Sequence, residues 1–483
     1  MKILFVVKRM THVRHFDRVV RLLSDRGHHV CLASQDDDLE LRGVLSEQSR
    51  ITSASAPRER SDEWHGPANL LRRARDYFRY LHPRYEQATK LRGRSFEKVF
   101  RAVCDASRPI GDNWSDLLLA LNKGEQKRLL ESLALLETAI PHDPVIDEFL
   151  AERQPDVVIC SPLVDIGFSQ ADFIKSARTL GLPSAMLVFS WDNLSNKGLI
   201  HEIPDRVFVW NRTQLKEAVK LHGVSQDSVV VTGAARFDEL FEMRPSLERG
   251  ALCTRLGFDP ARPILTYLCS SKFIAAQERH FVERWIQEIR RSPILRDCSI
   301  IIRPHPGMMD YWHTPTPTVI RWQAPQEKAK ASISRSFDDP NVVVMSSPFQ
   351  NADQVLYETV YHSAAVVGLN TSAEIEAAIV GRPVYTIVDP ETTVGQEGTI
   401  HFRYLLSENG GPVTKAENFD QHRGHLEEAV EGRFNAQGIR AFVQKFVRPQ
   451  GIDVPVAPIL ADAIVSFAET ARSGREAVTA LQR

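Results

Sequence analysis

The chain has few of the features that mark a secreted, membrane-spanning or nucleic-acid-binding protein. Its six cysteines (31, 104, 160, 253, 269 and 298) are scattered over 483 residues without a CxxC pair. That spacing excludes a dense disulfide framework, and a reducing cytoplasm fits it best. No window approaches the ~18–20 continuous apolar residues of a membrane span, so membrane contact is expected to be peripheral. Sixty Lys and Arg against 61 Asp and Glu leave a net charge of −1, which argues against nucleic acid as a partner. No GxGxxG, Walker loop or GxSxG occurs, and Cys and His show no metal-ligand spacing, so nothing in the pattern requires a metal or a permanently bound cofactor.

What is present is an ordinary globular composition, 43% hydrophobic and 25% charged. At ~100–200 residues per domain the length suggests two large domains. The opening MKILFVVKRM places its apolar run before most of its basic residues and reads as a first strand rather than a leader. ILFVV, the helical HFDRVVRLLSDRG and HVCLAS form a βαβ start. A polar, aromatic-rich helical insertion runs from about 56 to 145, after which DVVICS, SAMLVFS, RVFVW and VVVTG continue the strands. A second series follows: PILTYLCSS, SIIIRPHP, NVVVMS, AAVVGLN and PVYTIV. The expected fold class is α/β, two doubly wound Rossmann-like parallel-sheet domains facing a central cleft. The domains are expected at 1–240 and 241–440, with a helical segment, 441–483, packing back on the first.

Polar clusters fall at the carboxyl ends of these strands, where ligands bind in such sheets. In GLNTSAEIEAAIVGRPVYTI, residues 368–387, Asn370, Thr371 and Ser372 are helix-capping types whose free N–H groups suit a phosphate; an ordinary capping turn is the alternative. RPHP supplies Arg303 and His305 as phosphate or leaving-group donors, or simply shapes a turn. CSSKF offers Ser270, Ser271 and Lys272. FSWDNLSNKG gathers Trp191, Asp192, Asn193 and Lys197, a set able to grip a sugar by ring face and hydroxyls, or a polar turn with Trp191 in the core.

These motifs, in this order, resemble the GT-B glycosyltransferases over both halves. The resemblance implies that Glu376, five residues before Gly381-Arg382-Pro383, binds the donor's ribose hydroxyls. Thr371 and Ser372 would then hold its phosphates, and Glu374 is left as a solvated spare. RPHP with NTS is similar to motifs of bacterial sialyl- and Kdo-transferases and polyglycerolphosphate polymerases, which use cytidine-nucleotide donors. Gln396-Glu397 resembles the pair placed over the donor sugar, although the spacing is longer here and His401 competes for the role. Counting back from Gly27 as in these families gives His12 as the base, with His15 and Asp192 as competitors. Cys160 and Ser161 stand where its carboxylate partner is expected, and Asp165 is the nearest substitute.

The resemblance implies a glycosyltransferase moving a sugar from a nucleotide-sugar donor, CMP-, CDP- or UDP-linked, to a cell-surface polysaccharide or lipid-linked acceptor. A CDP-polyol phosphotransferase, a sugar-nucleotide 2-epimerase and a catalytically silent nucleotide-sugar binding module remain alternatives. The insertion, rich in basic and aromatic residues, reads either as a face for an anionic membrane surface or as a plain solvated helical surface.

Overall fold

The computed structural model describes residues 1–36, 39–40, 43–104, 120–167, 169–308, 312, 318–323, 328–346, 352–389 and 393–481. They divide into two compact units, Met1–Asp238 with Lys445–Arg483, and Glu239–Gln444.

The first unit carries a seven-stranded sheet among the described residues. Its strands are β1 (Lys2–Val7), β2 (His29–Ser34), β3 (Ile51–Ser55), β4 (Val157–Ser161), β5 (Ser184–Leu187), β6 (Arg206–Val209) and β7 (Val229–Val231). The order is β3-β2-β1-β4-β5-β6-β7, parallel throughout. Central strands are covered on both faces, which is why KILFVV and VVICS read as continuous apolar runs. One face is closed by the helix Asp17–Asp25 together with the last helix, Val456–Leu481, whose Val456, Leu460, Ala461 and Ile464 enter the same core as Phe5, Val19 and Leu23. Buried Asp238 fixes where that last helix starts. Its carboxylate accepts the N–H groups of Val456 (3.0 Å) and Ala457 (2.7 Å) and a bond from Arg448 (2.6 Å).

The second unit carries an eight-stranded sheet among the described residues. Its strands are β8 (Ile264–Leu268), β9 (Ser299–Arg303), β10 (Thr318–Gln323), β11 (Lys328–Ser334), β12 (Val342–Ser346), β13 (Ala365–Gly368), β14 (Val384–Ile387) and β15 (Val413–Ala416). They lie in the order β10-β11-β12-β9-β8-β13-β14-β15. This sheet is mixed rather than wholly parallel, because β10, β11 and β12 pair antiparallel at one edge. Without that edge hairpin the order again runs outward both ways from a central pair, the doubly wound arrangement.

The insertion holds the helices His65–Arg79, Thr89–Cys104 and Lys123–Ala139, and three of its arginines depart from the solvated-surface reading while Arg58, Arg84 and Arg101 are exposed. Arg60, Arg72 and Arg79 are buried. Arg72 makes a two-pronged bond to Asp172 (2.8 and 2.7 Å) and reaches Glu137 at 3.0 Å. Arg60 pairs with Asp62 and Asp172. His201 bridges Asp76 and Glu137, each at 3.0 Å. Asp76 also accepts the N–H groups of Gly167 on Oδ2 (2.9 Å) and Leu199 on Oδ1 (2.6 Å), and a side chain at Gly198 would meet its carboxylate at 2.8 Å. The insertion thereby clamps the loops that follow β4 and β5. Charges removed from water persist only when paired in this way. Among the described residues no helix is long and apolar enough to cross a membrane.

Burial alone would lower the His201 pKa, but Asp76 and Glu137 raise it to about 9. A raised folded-state value contributes stability that is complete below the ordinary 6.5 and is lost as pH rises through about 9. His201→Gln should therefore cost about 3–5 kcal/mol near pH 6. The gap in melting temperature from the parent should close as pH approaches about 10. A gap that stays constant with pH would show that the imidazolium is not the stabilising species.

Candidate functional site

In the second sheet the direction of winding reverses between β8 and β13, which lie side by side. Leu268 pairs with Arg303 on one side and Gly368 on the other, so the last residues of β9, β8 and β13 form one row. Parallel strands in that register release Pro304–His305, Cys269–Ser271 and Leu369–Ser372 from the same edge. The Cys269 N–H still donates to the Arg303 carbonyl at 2.9 Å. The three motifs are therefore neighbours within this unit.

Each side chain then takes a distinct part. Asn370 adopts a left-handed φ of 86°, which Asn tolerates better than most residues. Its side chain donates to the Gly395 carbonyl (2.9 Å) and Thr399 (3.0 Å), so it ties the turn to the following loop rather than offering itself to a ligand. Thr371 and Ser372 are partly exposed, and Ser372 makes no side-chain cap bond to the helix Ala373–Ile379.

The two glutamates differ sharply. Glu374, expected to be solvated, is fully buried: Oε1 accepts the Asn370 N–H at 3.1 Å while Oε2 has no hydrogen-bond partner. It folds back over Gly368, where a Cβ would lie 2.6 Å from Oε1. Glu376 is partly exposed and acts electrostatically on Arg303. Burial lowers the Arg303 pKa to about 10, with Cys269, Glu376 and Asp353 opposing. One guanidinium therefore senses the strand-end loop of β8 and the helix after β13.

Ser270 is buried, Ser271 partly exposed and Lys272 exposed. The Ser270 N–H donates to both oxygens of Glu278 (2.9 Å each), and Tyr267 Oη donates to Glu278 at 3.2 Å. Sequence reasoning missed Glu278. The signal was a carboxylate on the apolar face of an amphipathic helix, in line with Phe281, Val282 and Trp285. Burial lowers the His305 pKa and keeps the partly exposed ring neutral. Gln396 is buried and donates to Thr386 (3.0 Å) and the Ile387 carbonyl (3.1 Å), bracing β14 instead of contacting a sugar. Exposed Glu397 lies 3.8 Å from Lys415, and His401 is buried.

The first sheet reverses between β1 and β4. Lys8, one residue beyond β1, pairs there with Asp165, four residues beyond β4, at 2.5 Å. Burial would raise the Asp165 pKa, but Lys8, Lys197 and Lys98 hold it below its ordinary value. Asp165 thus serves lysines, although its field also reaches His12. Burial, opposed by Asp165 and reinforced by Arg9, Lys8 and Arg14, lowers the His12 pKa to about 4. Its Nδ1 is buried without a hydrogen-bond partner.

The other first-half residues are corrected by burial and bonding. His15 is buried and stacked on Phe189, with ring centroids 4.7 Å apart and planes 3° apart. Trp191 is only 3% exposed, so neither ring face is open to a sugar. Asn193 is buried with its Oδ1 accepting the Phe189 and Ser190 N–H groups at 3.1 Å each. Asp192 accepts from Ser190 (2.6 Å) and Asn196 (3.1 Å), which makes it a turn brace. Lys197 is partly exposed. Among the described residues no group of three or more His, Cys, Asp or Glu is placed to hold a metal.

Burial raises the Glu374 carboxyl to about 8. The folded state is then most favoured below the ordinary 4.5, and that advantage fades as pH rises through about 8. Glu374→Gln removes the titration. Its melting temperature should match the parent's near pH 5 and exceed it by several degrees near pH 9. A pH-independent difference would mean that Glu374 ionises in place without cost.

No family model matches the chain, and no curated protein matches it. Solved structures do. A Listeria monocytogenes protein assigned to the UDP-N-acetylglucosamine 2-epimerases is 11% identical with a TM-score of 0.50, over 97% of this chain and 96% of its own. The Anabaena protein HepE in complex with UDP is likewise 11% identical with a TM-score of 0.50, over 96% and 100%. A Rickettsia africae glycosyltransferase is 9% identical with a TM-score of 0.46, over 97% and 98%. With both sheets wound outward from a central pair of strands, the chain has the GT-B fold of two Rossmann-like α/β domains.

Proposed function

We propose that the protein is a nucleotide-sugar-dependent glycosyltransferase. The second unit holds the donor's nucleotide, and the first supplies the base for an acceptor hydroxyl. The observation that carries this reading is the row Arg303–Leu268–Gly368, which gathers three loops at the reversal point of the second sheet. At that edge Glu376 is the partly exposed carboxylate beside a buried guanidinium. A carboxylate accepts from two vicinal ribose hydroxyls at once, while Ser372, Thr371 and the neutral His305 ring offer donors to phosphate. His12 is the free base throughout the neutral range, and its buried Nδ1 has no hydrogen-bond partner. HepE was solved with UDP, which supports a uridine donor alongside the cytidine ones. The acceptor we infer is a surface polysaccharide or a lipid-linked glycan made at the inner face of the cytoplasmic membrane.

A thermal-shift panel of CMP, CDP, UDP, GDP and dTDP tests the donor reading, since ligand at ~100 times its dissociation constant stabilises by ~2.7 kcal/mol. Glu376→Gln should weaken the preferred nucleotide roughly ten- to hundredfold, because charge-assisted bonds are worth ~1.5–3 kcal/mol. Unchanged affinity in that variant would sink the ribose assignment. His12→Ala should lower turnover ~10²–10⁴-fold.

The name of the Listeria protein favours a second reading, a 2-epimerase acting on a UDP-sugar. Incubation with nucleotide sugar alone separates the two. An epimerase interconverts the sugar without any acceptor, whereas the transferase releases nucleotide only when an acceptor hydroxyl is supplied.

A further inference from the structure

A histidine that takes a proton needs another group to hold its ring in one orientation, and His12 is not held by hydrogen bonding. Its Nδ1 is buried without a partner, and Asp165 pairs with Lys8 at 2.5 Å instead. What lies against the ring is aromatic. The Phe189 ring centre is 5.2 Å from that of His12 and 4.7 Å from that of His15, whose plane is within 3° of the phenyl plane. His12 and His15 are themselves 6.4 Å apart, because the 3-10 helix Met10–His15 brings side chains three residues apart over one another. The three rings form one cluster.

Phe189 is in turn fixed from both sides of its backbone. The Val188 N–H donates to the Phe208 carbonyl at 3.1 Å, and the Val188 carbonyl accepts from Trp210 Nε1 at 2.9 Å. The N–H groups of Phe189 and Ser190 both go to Asn193 Oδ1 at 3.1 Å, and Gln214 Nε2 donates to the Ser190 carbonyl at 3.0 Å. The phenyl ring itself packs on the first unit's core. Few side chains at a strand end are held at so many points.

We propose that Phe189 is the positioning residue for His12, its ring holding the imidazole by flat packing where a carboxylate would otherwise hold it by a hydrogen bond. This rests on the base role of His12 and adds what orients it. The two devices differ in their effect on the proton. A carboxylate bonded to Nδ1 would favour the imidazolium, whereas an aromatic wall excludes water and favours the neutral ring. Burial is the largest influence on His12 and lowers its pKa to about 4, with Asp165 opposing and Arg9, Lys8 and Arg14 reinforcing. Packing thus supplies an oriented base that is unprotonated near neutrality.

The first test needs no substrate. In full-length protein carrying 13Cε1-labelled histidine, with His12→Gln assigning the signal, the His12 resonance should carry a ring-current shift from Phe189. Phe189→Leu fills the volume without a flat face and should abolish that shift, while Phe189→Tyr should keep it. Phe189→Met serves as a second ringless variant if the leucine one does not fold. In the turnover assay used for His12→Ala, the ringless variant should lower kcat roughly ten- to hundredfold with KM within about threefold of the parent, as expected for a misplaced reacting group. Phe189→Tyr should recover kcat to within about threefold. An unchanged His12 resonance in the ringless variant, a loss confined to KM, or a loss that tyrosine fails to recover would overturn the proposal. Full turnover in His12→Ala is a different result, which removes the base reading and is seen without touching Phe189.

Discussion

Parallel pairing is the constraint from which the candidate sites follow. Strands that run the same way deliver their carboxyl ends to one edge, and a doubly wound order leaves two loops at the reversal point with no crossover helix between them. In the second unit those loops follow β8 and β13; in the first they follow β1 and β4. The chemistry of each edge differs because the sequence spends it differently. The second uses small hydroxyl residues, an arginine and the partly exposed carboxylate of Glu376, whereas the first uses lysines around Asp165.

Both edges are stiffened from below by carboxylates that never meet solvent. Glu278 and Glu374 take up the N–H groups of Ser270 and Asn370, and each is raised to about 8, first by burial. Near neutrality such groups are largely protonated, which removes the cost of burying charge beneath the strand ends. In the first unit the same task falls to Asp76, which stays paired with His201 while it grips two loop amides. Neutral carboxyls below one edge and an ion network below the other reflect which residues stand nearby: hydrophobic strand ends in one case, a helical insertion rich in arginine in the other.

Much of the architecture was legible because central parallel strands are buried on both faces and must be apolar. VVICS, VVVMS and VYTI could hardly be anything else. The strands that sequence reading missed were ITSAS, TVIRWQ, KAKASIS and VTKA, which lie at or near sheet edges where polar residues are tolerated. The basic insertion misled for a related reason, since an arginine paired inside a protein and one waving in water look alike in a sequence. Within the site, residue types were read more easily than directions. Trp191, Asn193 and Gln396 are polar or amphipathic residues at strand ends, yet their side chains turn inward to hold the turns. Glu374 and Glu376 are two positions apart on one short helix, and only the fold decides which of them is covered.

The last helix, Val456–Leu481, belongs to the core of the first unit, although the whole second unit lies between them in the chain. A ribosome therefore makes Glu239–Gln444 in one continuous piece before it releases the segment that covers Phe5, Val19 and Leu23. Until that moment the first unit presents an apolar groove along the helix Asp17–Asp25, with the Asp238 carboxylate lacking the amides of Val456 and Ala457. The core of the first unit is thus completed only when two stretches separated by more than two hundred residues of chain come together, a contact of high sequence separation of the kind that slows folding.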